Sequence, residues 1–202
     1  LKALTRSLAL ATLAGFLGCS EPSSEPEAAP TPAATKASVG EDEGRRAYAT
    51  VFQVLTHPRC LNCHPAGQRP LQFDTSQPHA MNVQRGSDDR GRPGLRCTAC
   101  HSAGNHDQPH LPPGSPDWRL APLEQAFEGR SPEALAAQLK DPKRSHMSLD
   151  ELVAHVRDDA LVGWGWAPGP ERAAVPVSRE EFVAAFETWT EAGAPLPKEG
   201  AK

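Results

Sequence analysis

Bulky apolar side chains are scarce in this 202-residue chain: aromatic residues make up 5%, with one tyrosine and two methionines. So little core material, interrupted by 21 prolines and 16 glycines, excludes a self-sufficient β-sandwich or a large α/β sheet. The length suits one ordinary domain or two very small ones. No block of basic residues is present and the formal charge is -4, which denies the chain the electrostatic footprint that nucleic acid needs. Nothing after residue 17 is long and apolar enough to span a bilayer. Cysteine is sparse too, but its placement is informative: four of the five fall into two identical five-residue patterns and Cys19 stands alone.

Residues 1–18 carry Lys2 and Arg6 ahead of an apolar run from Leu8 to Leu17, too short for a membrane span, and read as an export signal. The segment FLGCS resembles a bacterial lipoprotein processing site, which implies cleavage before Cys19 and acylation of that cysteine. A plain secretory signal, or an uncleaved anchor in which Cys19 is incidental, is the alternative. Residues 19–40 are mostly Ser, Glu, Pro and Ala, cannot repay their ordering entropy, and read as a lipidated flexible tether. The expected location is the bacterial cell envelope, periplasmic or outer surface, lipid-anchored.

The chemistry sits at Cys60-Leu61-Asn62-Cys63-His64 and at Cys97-Thr98-Ala99-Cys100-His101. Two cysteines three apart can form two thioethers to one haem while the next residue offers imidazole to iron. Both segments resemble the c-type cytochrome attachment motif. The expected cofactors are therefore two c-type haems, with Cys60, Cys63, His64, Cys97, Cys100 and His101 holding them. A zinc site from two CxxC pairs, or disulfides, are the competing readings; neither requires a histidine directly after each pair. Only 37 positions separate Cys60 from Cys97, too few for two tandem domains, so the haems are expected to share a core and to replace missing side chains within it.

The fold expectation is mainly α: a compact dihaem cytochrome c-like domain over residues 41–198 with long irregular loops. Tyr48, Val51, Phe52 and Leu55 recur at helical spacing over 43–56. Ser131-Pro132-Glu133 opens a helix that Pro142 stops. Ser148 with Glu151, and Ser178 with Glu181, are candidate capping boxes, and Gly193 is a candidate terminator. Residues 65–96 and 102–120 are expected to be mostly loop.

Each iron needs a ligand on its far side, and the sequence offers His57, His79, Met81, His146, Met147 and His155. His79 in the PHAMN loop and His155 beside an apolar helical face are the chosen pair. His57 is too near Cys60 to pass easily around its own haem but could reach the neighbouring iron, and His106 and His110 are expected to be loop or hydrogen-bonding residues. The four tryptophans are expected to pack in the core or against porphyrin.

The segments HPRCLNCHPAGQRPL, PHAMNVQRG, and LVGWGW followed by FVAAFETWTEAGAPLP resemble a group of small bacterial dihaem proteins often labelled as subunits of isoquinoline 1-oxidoreductase. The resemblance covers most of residues 45–197 and carries the four cysteines and His64 and His101, not the distal ligands. It implies association with a molybdenum hydroxylase, although this chain shows no molybdopterin or flavin site. The expected function is one-electron transfer outside the cytoplasm between redox protein partners, with a membrane quinol oxidising complex as another donor. A dihaem enzyme such as a peroxidase, or a haem-based sensor lipoprotein, is the alternative.

Overall fold

The computed structural model describes residues 39–198; the export signal, Cys19 and nearly all of the tether lie outside the described residues. Helix α1 (Glu41–Leu55) begins with three acidic residues in its first turn, which favour the positive end of the helix dipole, and buries Tyr48, Val51, Val54 and Leu55 on one face. A short α2 (Pro58–Leu61) follows at once, with proline at its first position where no backbone donor is needed. Two antiparallel hairpins come next: β1 (Leu71–Gln72) with β2 (Gln77–Pro78), and β3 (Gly91–Arg92) with β4 (Leu95–Arg96). Loops and short 3₁₀ turns fill the rest up to residue 131.

The second half is more regular. In α3 (Pro132–Lys140) the Ser131 hydroxyl accepts from Ala134 N–H, and α5 (Leu149–Asp158) carries the full reciprocal capping box of Ser148 and Glu151. Between them Pro142 does not merely stop a helix. It starts another single turn, α4 (Pro142–Ser145), capped by Asp141. Asp159 caps α6 (Ala160–Gly163), and Ser178 caps α7 (Arg179–Glu191) through Glu181 N–H. Gly193 takes φ of 81° just past the end of α7, the left-handed conformation that closes a helix.

Helices α1, α3, α5 and α7 enclose the core. Tyr48 and Trp189 meet at 4.9 Å between ring centroids, Phe186 stands edge-on to Trp189, and Leu135, Leu139, Leu152, Val156 and Phe182 complete the buried cluster. The polar tips of the two largest side chains are satisfied: Tyr48 Oη donates to Pro132 O at 3.0 Å and Trp189 Nε1 to Pro195 O at 3.1 Å. Leu139, Leu152, Val156, Phe182 and Phe186 of this cluster also line a cavity. Among the described residues no helix is long and apolar enough to cross a membrane.

Gly44 lies against the end of α7: a Cβ there would collide with the Ala192 Cβ and meet the Pro195 ring at 3.0 Å. Neither obstacle can swing away. Alanine in place of glycine strengthens a free helix by about 1 kcal/mol; in Gly44→Ala, overpacking outweighs that gain. A net loss of about 1–2 kcal/mol is expected in denaturant unfolding.

Candidate functional site

Both Cys-x-x-Cys-His segments adopt the same helical turn. In the first, Cys63 N–H and His64 N–H both donate to Cys60 O at 3.2 Å; in the second, Cys100 N–H and His101 N–H donate to Cys97 O at 3.1 and 2.9 Å. This turn brings residues three and four apart to one side, so each pair of thiols lies near its histidine. All four cysteines are free thiols.

Each histidine is then held from outside its own segment. His64 Nδ1 lies 2.8 Å from Gln125 O, and His101 Nδ1 lies 2.7 Å from Pro113 O. A carbonyl can only accept, so Nδ1 carries the proton and Nε2 keeps its lone pair. An aromatic ring lies flat on each imidazole: Phe127 on His64 at 3.7 Å and 7°, Trp118 on His101 at 4.5 Å and 8°. Burial pushes the His64 pKa down to about 4, and the His101 pKa is lowered by the same cause. Burial therefore favours the neutral form of both rings.

Around the first segment lies a cavity of about 460 Å³, within the range of small-molecule sites. Cys60, Cys63, His64 and Phe127 are on its wall, and so are Met147 and His155. His155 Nδ1 is 3.4 Å from Asp159 Oδ2, a carboxylate contact that leaves its Nε2 free as well. Asp159 also accepts from Leu161 N–H and Val162 N–H, so the helix α6 cap and the His155 tautomer depend on one carboxylate. Beside the segment, the almost wholly buried Arg59 pairs with Asp74 and stands over the Trp164 ring at 5.6 Å. Its Nε has no hydrogen-bond partner.

At the second segment, His79 meets His101 with 6.2 Å between ring centroids, and His79 Nδ1 donates to Ala80 O at 2.9 Å. The remaining sequence candidates separate on geometry. His57 Nδ1 accepts from Arg59 N–H, which puts the proton of the neutral ring on Nε2. Met81 is 73% exposed. His146 shares the cavity wall with Met147. His106 touches Ser102 Oγ, and His110 pairs with Glu171. Phe127, Gln125 and Pro113 were missed in the sequence because nothing local ties them to the cysteine segments.

One expectation is corrected. Among the described residues no group of three or more His, Cys, Asp and Glu side chains could hold a metal ion. The two c-type haems, and with them the haem, iron, metal-binding and cytochrome character read from the sequence, are not met by any formed metal centre. The donors come two at a time, His79 beside His101 and His155 on the cavity wall with His64, fewer than an ion held by side chains alone needs. The thiols of the first segment are held in the protonated form. Burial raises the pKa of Cys60 to about 12 and that of Cys63 to about 11.

Those thiols set an expected outcome for the reduced polypeptide. Alkylation follows the thiolate fraction, so Cys60 and Cys63 should react at least about a hundredfold more slowly than an unperturbed thiol. The exposed Cys100 should be labelled first. Peptide mass mapping over a time course of iodoacetamide treatment at pH 8 measures the order.

Comparison of the chain with family models, with curated proteins and with solved structures returned no match.

Proposed function

We propose that this chain is an extracytoplasmic one-electron transfer protein working through two sites, one at each Cys-x-x-Cys-His turn. The observation that carries the reading is the shared preparation of the two histidines. His64 and His101 each have Nδ1 committed to a backbone carbonyl and one face covered by an aromatic ring, which leaves Nε2 as the free donor. A surface histidine needs neither restraint. Two such sites in about 160 residues suit a relay, whose work is to hold redox groups in fixed positions and tune them through burial and hydrogen bonding.

In this reading Cys60, Cys63 and His64 face His155 across the first site, and Cys97, Cys100 and His101 face His79 at the second. The helical wrapper is then cytochrome c-like in arrangement, with α1, α5 and α7 behind the first site and loops around the second. The partners are a redox protein donor and a redox protein acceptor, a molybdenum hydroxylase or a quinol oxidising complex being donors of the right kind. Export and acylation at Cys19 keep the domain in the envelope at the end of its tether.

The test is the full chain produced by export in a bacterial host and recovered from the envelope. Voltammetry of the protein should show two reversible one-electron waves. Loss of both cysteines of one segment should remove one of the two. A protein with no reversible wave would overturn the proposal.

A further inference from the structure

Large apolar side chains are mostly covered, and the two most exposed among the described residues lie on either side of β2: Phe73 is 64% exposed and Met81 73%. One such residue alone would be ordinary. Here two share a short hairpin, and the backbone is strained where it presents them. Phe73 and Met81 take φ of 63° and 58°, in the left-handed region that non-glycine residues seldom enter, and Ser76 and Asn82 join them at 49° and 52°. The segment is nevertheless tied down. Asn62 Nδ2 donates to Phe73 O at 2.9 Å, His79 N–H to Pro70 O at 2.8 Å, and Arg69 Nη2 to His79 O at 2.7 Å. A backbone held in this way has little further freedom to lose on binding.

The charge left over around the hairpin is positive. Asp74 is taken by Arg59, Asp88 by Arg96 and Asp89 by Arg85. Arg69 gives its Nη2 to a carbonyl, and the exposed Arg92 has no carboxylate partner among the described residues. Backbone bonds bring the two arginines together: Arg85 N–H donates to Gln68 O at 2.7 Å and Gly91 N–H to Arg85 O at 2.8 Å, which ties the residue before Arg92 to the residue before Arg69. Over residues 59–119 seven Lys and Arg stand against five Asp and Glu, whereas residues 120–198 carry eight against thirteen. The hairpin thus belongs to the positive part of an acidic chain.

We infer that the β1–β2 hairpin, with Phe73 and Met81 as its apolar centre and Arg69 and Arg92 as its rim, docks an acidic protein partner whose surface offers an apolar pocket flanked by Asp or Glu. Aromatic residues, Met and Arg are the types enriched at such interfaces. Phe73 is the anchor that fills the pocket, Met81 adapts to its edge, and the arginines pair with carboxylates and guide the encounter. A lipid surface is met better by an amphipathic helix than by two side chains on a hairpin. The surface serves this partner with or without electron relay at the cysteine segments, so the two readings fail separately.

The experiment is photocrosslinking of the full exported chain in the cells that make it, with p-benzoylphenylalanine in place of Phe73 and, separately, of Met81. Irradiation should join both positions to the same protein, at a segment rich in Asp and Glu identified by peptide mass spectrometry. The same photoreactive residue in place of the exposed Ala49, on α1, should give no such adduct. Arg92→Glu should cut the adduct yield at least about tenfold while Arg92→Lys keeps most of it. An unchanged unfolding midpoint for Arg92→Glu shows that docking, not folding, was lost. Adducts with lipid, with a second copy of the chain or with a segment lacking carboxylates would overturn the inference, and so would the absence of an adduct at both positions.

Discussion

The molecule depends on a double grip applied to two imidazole rings. A backbone carbonyl takes the Nδ1 proton of His64 and of His101, and an aromatic ring covers one face of each. Neither restraint comes from the five-residue segment that contains the histidine. Gln125 and Phe127 stand more than 60 residues beyond His64, and they are held in turn because Phe127 N–H and Glu128 N–H both donate to His64 O while Gln125 Nε2 donates to Ser145 O. The contact is thus reciprocal: the backbone of residue 64 anchors the loop whose side chains and carbonyl orient the ring of residue 64. A fixed tautomer with a free Nε2 follows from that closure.

The helices contribute by making one wall of the first site immovable. Tyr48 and Trp189 lock α1 to α7, and the glycine at 44 allows the two elements to approach closely. From this framework α5 projects His155 and Asp159, and the end of α1 feeds straight into α2 and Cys60. The second site has no such backing. It is built from hairpins and loops, and its order depends on single long-range bonds such as Asn105 Oδ1, which accepts from Gly114 N–H and from Trp164 Nε1. A site on a cavity wall and a site near the surface are the direct result of placing one segment after a packed helix and the other within loops.

Much of the local structure was legible. Ser131, Ser148 and Ser178 mark helix starts because a hydroxyl at that position satisfies an otherwise unpaired N–H, an interaction spanning three residues that any observer of the sequence can count. The capping box at 148–151 is complete, while at Ser178 only the serine half forms. One expectation required revision: the donors are disposed in twos, with no metal-binding cluster among the described residues.

By itself the sequence determined what depends on near neighbours: where the helices capped by Ser131, Ser148 and Ser178 begin, and where Gly193 ends the last of them. The tertiary structure alone decided which distant group meets which. That His79 faces His101 follows from the β1–β2 hairpin and the loop after it, and that His155 shares a cavity with His64 follows from the packing of α5 on α7. The reason is the range of the interactions. A cap or a turn is settled by bonds across three or four residues, whereas a stacked ring or a facing imidazole is placed by the packing of whole elements, and no spacing in the chain encodes that directly.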